Sequence, residues 1–230
     1  MSISSPKEED RDAIVQVTAG RITVYDMLVR IFSRLPDKKL LGGLFGACFE
    51  NFLNACDHFS KAKFGTGIGY INGFRAAIIN NREEKILEEL SVDRTRILRG
   101  TGHKDLKPPF EGLYRKGNHI GGSILEVKSF YRKTGLLPDE AIHESPDYLI
   151  IELDFMKQLC LREQEERATD ADTGETLIYQ ETFLRQHLCS WVGDFCTQVE
   201  RHALSGFYRG FSCITDAFLE MDLGYLEKKI

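Results

Sequence analysis

A chain of 230 residues is long enough for one large domain or two small subdomains around a shared core. Its 42% apolar and 28% charged residues exclude a disordered or fibrous protein. Lys plus Arg is 30 and Asp plus Glu is 35, so the net charge is −5, a poor footprint for nucleic acid and a better one for a cationic ligand.

Residues 1–10 are polar and lack the apolar centre of a signal peptide. The most apolar stretches, 40–49 and 148–153, fall short of the roughly 20 residues that span a bilayer. A cytoplasmic protein without membrane insertion is expected. The cysteines (Cys48, Cys56, Cys160, Cys189, Cys196 and Cys213) contain no CxxC, and the pairs Cys56/His58 and His187/Cys189 fit no zinc spacing, so all six read as reduced, apolar residues.

In chain order the apolar period is helical almost throughout. Tyr25, Leu28, Ile31, Phe32 and Leu35 form one stripe, which Pro36 ends. Phe45, Phe49, Phe52, Leu53 and Cys56 form another. Helices are predicted over 82–99, capped by Gly100, and over 120–132, followed by Gly135. The next is predicted to start at Ser145 as N-cap, with Pro146 at the first helical position and Asp147 in the first turn. Asp172 and Glu175 suggest a further N-terminus. It opens a long helix through Ile178, Phe183, Leu184, His187, Leu188, Trp191, Phe195 and Val199, roughly 45 Å long if unbroken. Ser205-Gly206 breaks the chain before a last helix over 207–219. The glycine-rich stretch 99–122 and the Pro-flanked, acidic stretch 136–146 are loops long enough to suggest function.

Enzyme signatures are missing. Gly65-Thr-Gly67-Ile-Gly69 and Gly100-Thr-Gly102-His103-Lys104 follow no strand and match no phosphate-loop spacing. One ExxH pair, Glu140 with His143, is too few for a di-iron bundle. His187 and Trp191, four apart on the long helix, read as core packing with one satisfied His nitrogen. Trp191, Phe183 and Phe195 read as core. No metal and no cofactor is expected. The alternative of a helical enzyme or cofactor carrier would have to use His143, His187 or the cysteines.

Several segments in order carry a resemblance. They are Asp93-Arg-Thr-Arg96-Ile-Leu98-Arg-Gly100, Pro108-Pro109-Phe110-Glu111-Gly-Leu-Tyr114 and Phe130-Tyr131-Arg-Lys-Thr-Gly135-Leu136. Then follow Glu144-Ser-Pro146-Asp147-Tyr148-Leu-Ile-Ile-Glu152 and Phe183-Leu-Arg-Gln-His187-Leu-Cys-Ser-Trp191. Over roughly residues 20–220 the chain resembles the TorD/DmsD/NarJ family of molybdoenzyme maturation chaperones. The resemblance implies an all-α fold without catalysis. It implies two helical subdomains, 1–135 and 147–230, joined by a hinge loop at 136–146. Such a hinge permits exchange of halves between chains, which leaves a monomer or a hinge-exchanged dimer open. The implied partner is the apo catalytic subunit of a dimethyl-sulfoxide-reductase-type enzyme, held through an N-terminal, twin-arginine leader until its cofactor is inserted; a client that is not exported is the alternative. The sequence departs from the family pattern where Tyr148 takes the place of a His, where Arg94 and Leu98 replace aromatic residues, and where Gly112 replaces Ser.

Chemistry points to the same partner. Two guanidinium groups followed by an apolar stretch call for carboxylates beside an apolar groove. Glu144, Asp147 and Glu152, with Pro146, Tyr148 and Tyr131, supply them; Glu111 and Tyr114 extend the set, and Arg96 is included as a neighbouring cation. Against this, Asp147 and Ser145 would do equally well as helix-start residues, Glu152 as a solvated one, and Arg96 as a buried ion-pair partner.

Overall fold

The computed structural model describes residues 6–79, 81–115, 121–137 and 144–230, apart from the side chains of 6–10, 48 and 55–63. Its elements are helices: α1 (Pro6–Ser33), α2 (Lys38–Gly43), α3 (Ala47–Ile78), α4 (Glu83–Arg99), α5 (Glu111–Tyr114), α6 (Gly122–Thr134), α7 (Leu149–Ala168), α8 (Gly174–Phe183), α9 (Cys189–His202) and α10 (Gly206–Leu226). A π-helical segment, Leu184–Leu188, joins α8 to α9. Among the described residues there is no β-strand, only one antiparallel bridge between Phe110 and Tyr148. No helix there is long and apolar enough to cross a membrane.

Helix ends follow local chemistry. Gly100 and Gly135 take left-handed φ of 62° and 71° and end α4 and α6 as predicted. Ser205 accepts the amide of Tyr208 and starts α10. The buried carboxylate of Asp93 holds that break from α4, accepting the amides of Leu204 and Ser205 at 2.9 and 2.8 Å. Arg94 donates to the carbonyls of Phe32 and Ser33 at 2.8 Å, satisfying the C-terminal end of α1. α1 starts well before the apolar stripe that announced it.

The two halves of the sequence share one core. α1 lies along α7, and α3 along α10, which also packs on α9. Glycines allow the α3–α10 approach. A Cβ on Gly67 would meet the Gly210 carbonyl at 2.8 Å, and one on Gly210 would meet the Gly67 carbonyl at 2.8 Å and Ile71 Cγ1 at 2.6 Å. The glycine-rich stretch 65–69 is therefore a helix crossing within α3, not a phosphate loop.

A buried polar network ties α1, α7, α8 and α10 together. Arg21 donates to Asp222 (2.5 Å), Glu163 (2.9 Å) and Gln180 Oε1 (2.6 Å). Tyr25 donates to Asp222, Thr18 to Glu163, and Gln180 Nε2 to Glu163 and the Leu159 carbonyl. Burial alone would raise Glu163; the charge of Arg21 and its hydrogen bonds outweigh that and lower it.

Two outcomes follow. Gly210→Val should destabilise the fold by about 1–3 kcal/mol or more in chemical denaturation, while Gly224→Ala, with open space around it in the same helix, should not. Arg21→Met should cost about 3–5 kcal/mol, because buried Asp222 loses its cation and Glu163 is left with Arg167 alone. Glu163 is held below its unfolded value, so its share of stability is present at neutral pH and lost as pH falls through the folded value. The gap between wild type and Arg21→Met should therefore narrow in acid.

Candidate functional site

The site forms where the segment 109–112 crosses the segment 145–149. Glu111 donates its amide to the Asp147 carbonyl at 2.9 Å, and Leu149 donates to the Pro109 carbonyl at 3.0 Å. The Asp147 carboxylate accepts the Gly112 amide at 3.2 Å and the Ser145 hydroxyl at 2.5 Å. The predicted start of the helix at Ser145 is thus corrected. A turn over 145–148 comes first, Tyr148 is the N-cap, and Asp147 serves the first turn of α5 instead of its own helix. A Cβ at Gly112 would lie 3.3 Å from Asp147 Oδ2, so this approach favours the smallest residue there.

Beneath the crossing lie two fully buried acids, Glu111 on α5 and Glu152 on α7. Glu111 accepts from Arg115 at 2.7 Å and pairs with His187 Nδ1 at 3.0 Å. Glu152 Oε2 accepts the indole N–H of Trp191 at 3.1 Å. Its Oε1 finds no N–H or O–H donor. Burial first, then the neighbouring charge of Glu111, push the Glu152 carboxyl well above its usual range, against the smaller opposing effect of Trp191. Protonated, it hydrogen-bonds to Glu111. Tyr131 closes the cluster by donating to the Pro146 carbonyl at 2.9 Å; burial and then Glu152 raise its phenol. Phe130, Phe155 and Phe183 wall it, Phe183 with ring centroids 4.8 Å from His187.

The structure therefore brings Glu111, Tyr131, Pro146, Asp147 and Glu152 into one connected group. Tyr148 adjoins it, 4% exposed, with its ring 4.9 Å from that of Phe110. Tyr114 lies a turn beyond Glu111, donating to the Lys107 carbonyl at 2.7 Å and packing on Trp191. Glu144 is exposed, 3.8 Å from Arg99. Arg96 stands apart, half-buried against Gly102, and its Nε has no hydrogen-bond partner. The alternative of a solvated Glu152 is overturned, because that side of its helix faces the crossing and the side chain is fully buried. Sequence reasoning missed Arg115 as the partner of Glu111. His187 was read as a core histidine with one satisfied nitrogen, and that is its place.

The residues of the enzyme or carrier alternative offer little. Glu140 and His143 lie outside the described residues, as do the side chains of Cys56 and His58. Cys160, Cys189, Cys196 and Cys213 are free. Burial pushes the thiol of Cys189 up to about 12 and that of Cys213 to about 11, so neither is a ready thiolate.

The fold is all-α among the described residues, and its acidic cluster is locked by its own hydrogen bonds. Residues 61–197, more than half the chain, match the family described as nitrate reductase delta subunit. The chain belongs to that family, as its resemblance to the TorD/DmsD/NarJ chaperones implied. It is similar to the chaperone protein TorD of Shewanella pealeana, 23% identical over 91% of each chain, and to that of Vibrio atlanticus, 26% identical over 74% of this chain and 84% of the other. A perchlorate reductase assembly chaperone protein of Dechloromonas aromatica is 27% identical over 50% of this chain and 51% of its own length.

The buried acid pair gives a pH prediction. Glu152 is raised in the fold, so between its unfolded and folded values the native chain holds a proton that the unfolded chain has lost, and stability falls as pH rises through that window. Glu152→Gln keeps an acceptor for Trp191 and supplies a donor to Glu111. Its melting temperature should exceed that of wild type at pH 8, and the two should converge towards pH 4. A gap that does not change with pH would refute a protonated Glu152.

Proposed function

We propose that the chain is a cytoplasmic assembly chaperone for a molybdenum-containing oxidoreductase of the dimethyl-sulfoxide-reductase type. In this reading it binds the N-terminal leader of the apo catalytic subunit and holds it until cofactor insertion and export. The observation that carries the reading is the group of Glu111, Asp147 and Glu152 beneath the 109–112 and 145–149 crossing, beside Tyr131, Tyr148 and Leu149. Two of these acids are partnered from within, Glu111 by Arg115 and His187 and Glu152 by the indole N–H of Trp191, with burial raising the Glu152 carboxyl. Guanidinium groups of a twin-arginine leader replace those internal partners once the crossing opens at the 136–146 loop, which acts as the hinge between the two subdomains. The apolar remainder of the leader follows Tyr148 and Tyr131.

Glu144, exposed at the mouth, supplies the first contact. Charge-assisted hydrogen bonds at about 1.5–3 kcal/mol each, with apolar burial, reach the roughly −8 kcal/mol of a micromolar, releasable complex after the leader is ordered. Relatives named for perchlorate and chlorate reductase assembly support a client of this kind.

Affinity capture from the host grown anaerobically should retain a molybdopterin-type catalytic subunit with its leader intact. Its reproducible absence from cells that express one would sink the proposal. With a synthetic leader, Glu144→Gln should weaken binding several-fold without changing the melting temperature. Trp191, the single tryptophan, donates to Glu152 and should report binding by a fluorescence change. Unchanged affinity after replacing both leader arginines by lysine would favour the reading in which the client is not exported.

A further inference from the structure

The loop between α4 and α5 does more than reach the crossing. It folds back on the C-terminal end of α9 and sets two side chains beside His202, the last residue of that helix. The turn is anchored from inside. Leu106 is buried and donates its amide to the His103 carbonyl at 3.2 Å. Lys107 donates its amide to Gln198 Oε1 on α9 at 3.2 Å, and its carbonyl accepts from Tyr114. These bonds leave His103 and Asp105 exposed on the outer side of the turn, while the rings of His103 and His202 stack with centroids 3.9 Å apart and an 18° tilt.

We propose that His103, Asp105 and His202 form a binding site for a borderline divalent transition-metal ion, of the class of Zn²⁺, Co²⁺ or Ni²⁺. One ligand atom from each residue lies within 4.8 Å of the others. His103 Nδ1 and Asp105 Oδ2 are 3.5 Å apart, close to the edge of roughly 3.3–3.4 Å that two ligands at about 2.0–2.1 Å span around a tetrahedral ion. A χ2 rotation of the His202 ring turns the stack into a third ligand direction, and water completes the shell. The rotation gives up the ring stack, and the ion displaces the weak bond from the Asp105 amide to His103 Nδ1, at 3.2 Å. Imidazole nitrogens with one carboxylate select such ions over Mg²⁺ or Ca²⁺, and the partial negative charge at the end of α9 adds attraction. The outer ligands are 99 residues apart in sequence, and His-x-Asp is no familiar metal-binding spacing. The ion clips the 100–109 loop onto α9, and so steadies the segment that leads into Pro109 and Glu111.

The test uses the full chain, free of any histidine tag and stripped with a chelator. Titration with Co²⁺, followed by visible absorbance, should saturate at one ion per chain, and Zn²⁺ should displace it. His103→Ala and His202→Ala should each weaken binding about tenfold or more, with Asp105→Asn intermediate. All three variants should melt like wild type without metal, since the side chains are exposed or half-exposed. Added Zn²⁺ should raise the melting temperature of wild type only. Failure to saturate, or binding that survives in both His variants, would overturn the site. Leader binding enters neither readout, so the outcome is independent of the proposed function.

Discussion

Two carboxyl groups, Glu111 and Glu152, are buried side by side, and a low-polarity interior does not tolerate both as uncompensated anions. The surrounding architecture answers that constraint. Arg115 and His187 converge on Glu111, Trp191 gives its indole N–H to Glu152, and burial with the charge of Glu111 raises the Glu152 carboxyl. α5 is a single turn that would not persist alone. It is held because Asp147 takes the Gly112 amide with its side chain and the Glu111 amide with its backbone. Segments more than 30 residues apart in sequence are fixed to each other by the groups that keep the acid pair buried.

The Arg21 network is the contrasting case. Its acids, Glu163 and Asp222, face a permanent cation, and Thr18, Tyr25 and Gln180 complete their shells. Nothing in it is released by moving a loop, because its members lie on four long helices. The acid pair is different in kind: burial raises one member, Glu152, instead of a cation lowering it, and the pair sits under two short segments instead of a helix–helix interface. The two clusters also respond oppositely to pH, since Glu163 is lowered and Glu152 raised. The Arg21 network serves as a permanent tie between the two halves of the chain.

Most helices were legible because their buried faces are apolar. The start of α1 was not. Its first half buries Thr18 and Arg21, so no hydrophobic period marks it until Tyr25. α5 escaped notice because four residues are too few for any period, and its cap comes from Asp147 on another segment. Ser-Pro-Asp before an apolar run is a valid helix-start pattern, yet here the bridge between Tyr148 and Phe110 delays the helix to Leu149. The acids were identifiable as a set by their place near the hinge sequence, but not their burial. Arg115 carried no signal, because an i,i+4 pair with Glu111 matters only once the one-turn helix exists.

Tyr148 shows how one side chain changes the character of this junction. A histidine in that position would titrate near neutrality and could lend a charge to the mouth beside Glu144. A tyrosine cannot: burial, then the nearby Glu144, raise its phenol against the smaller effects of Arg94 and Arg99. Its contribution is packing on Phe110 and a backbone bridge that holds the crossing shut. The acid–base chemistry of the junction is thereby moved inward, onto Glu152. Arg94 completes the exchange. Where the family pattern has an aromatic residue, this chain places a guanidinium on the carbonyl end of α1, close enough to influence Tyr148. The crossing in this protein is therefore held by apolar contact and backbone hydrogen bonds at Tyr148, above the two buried acids.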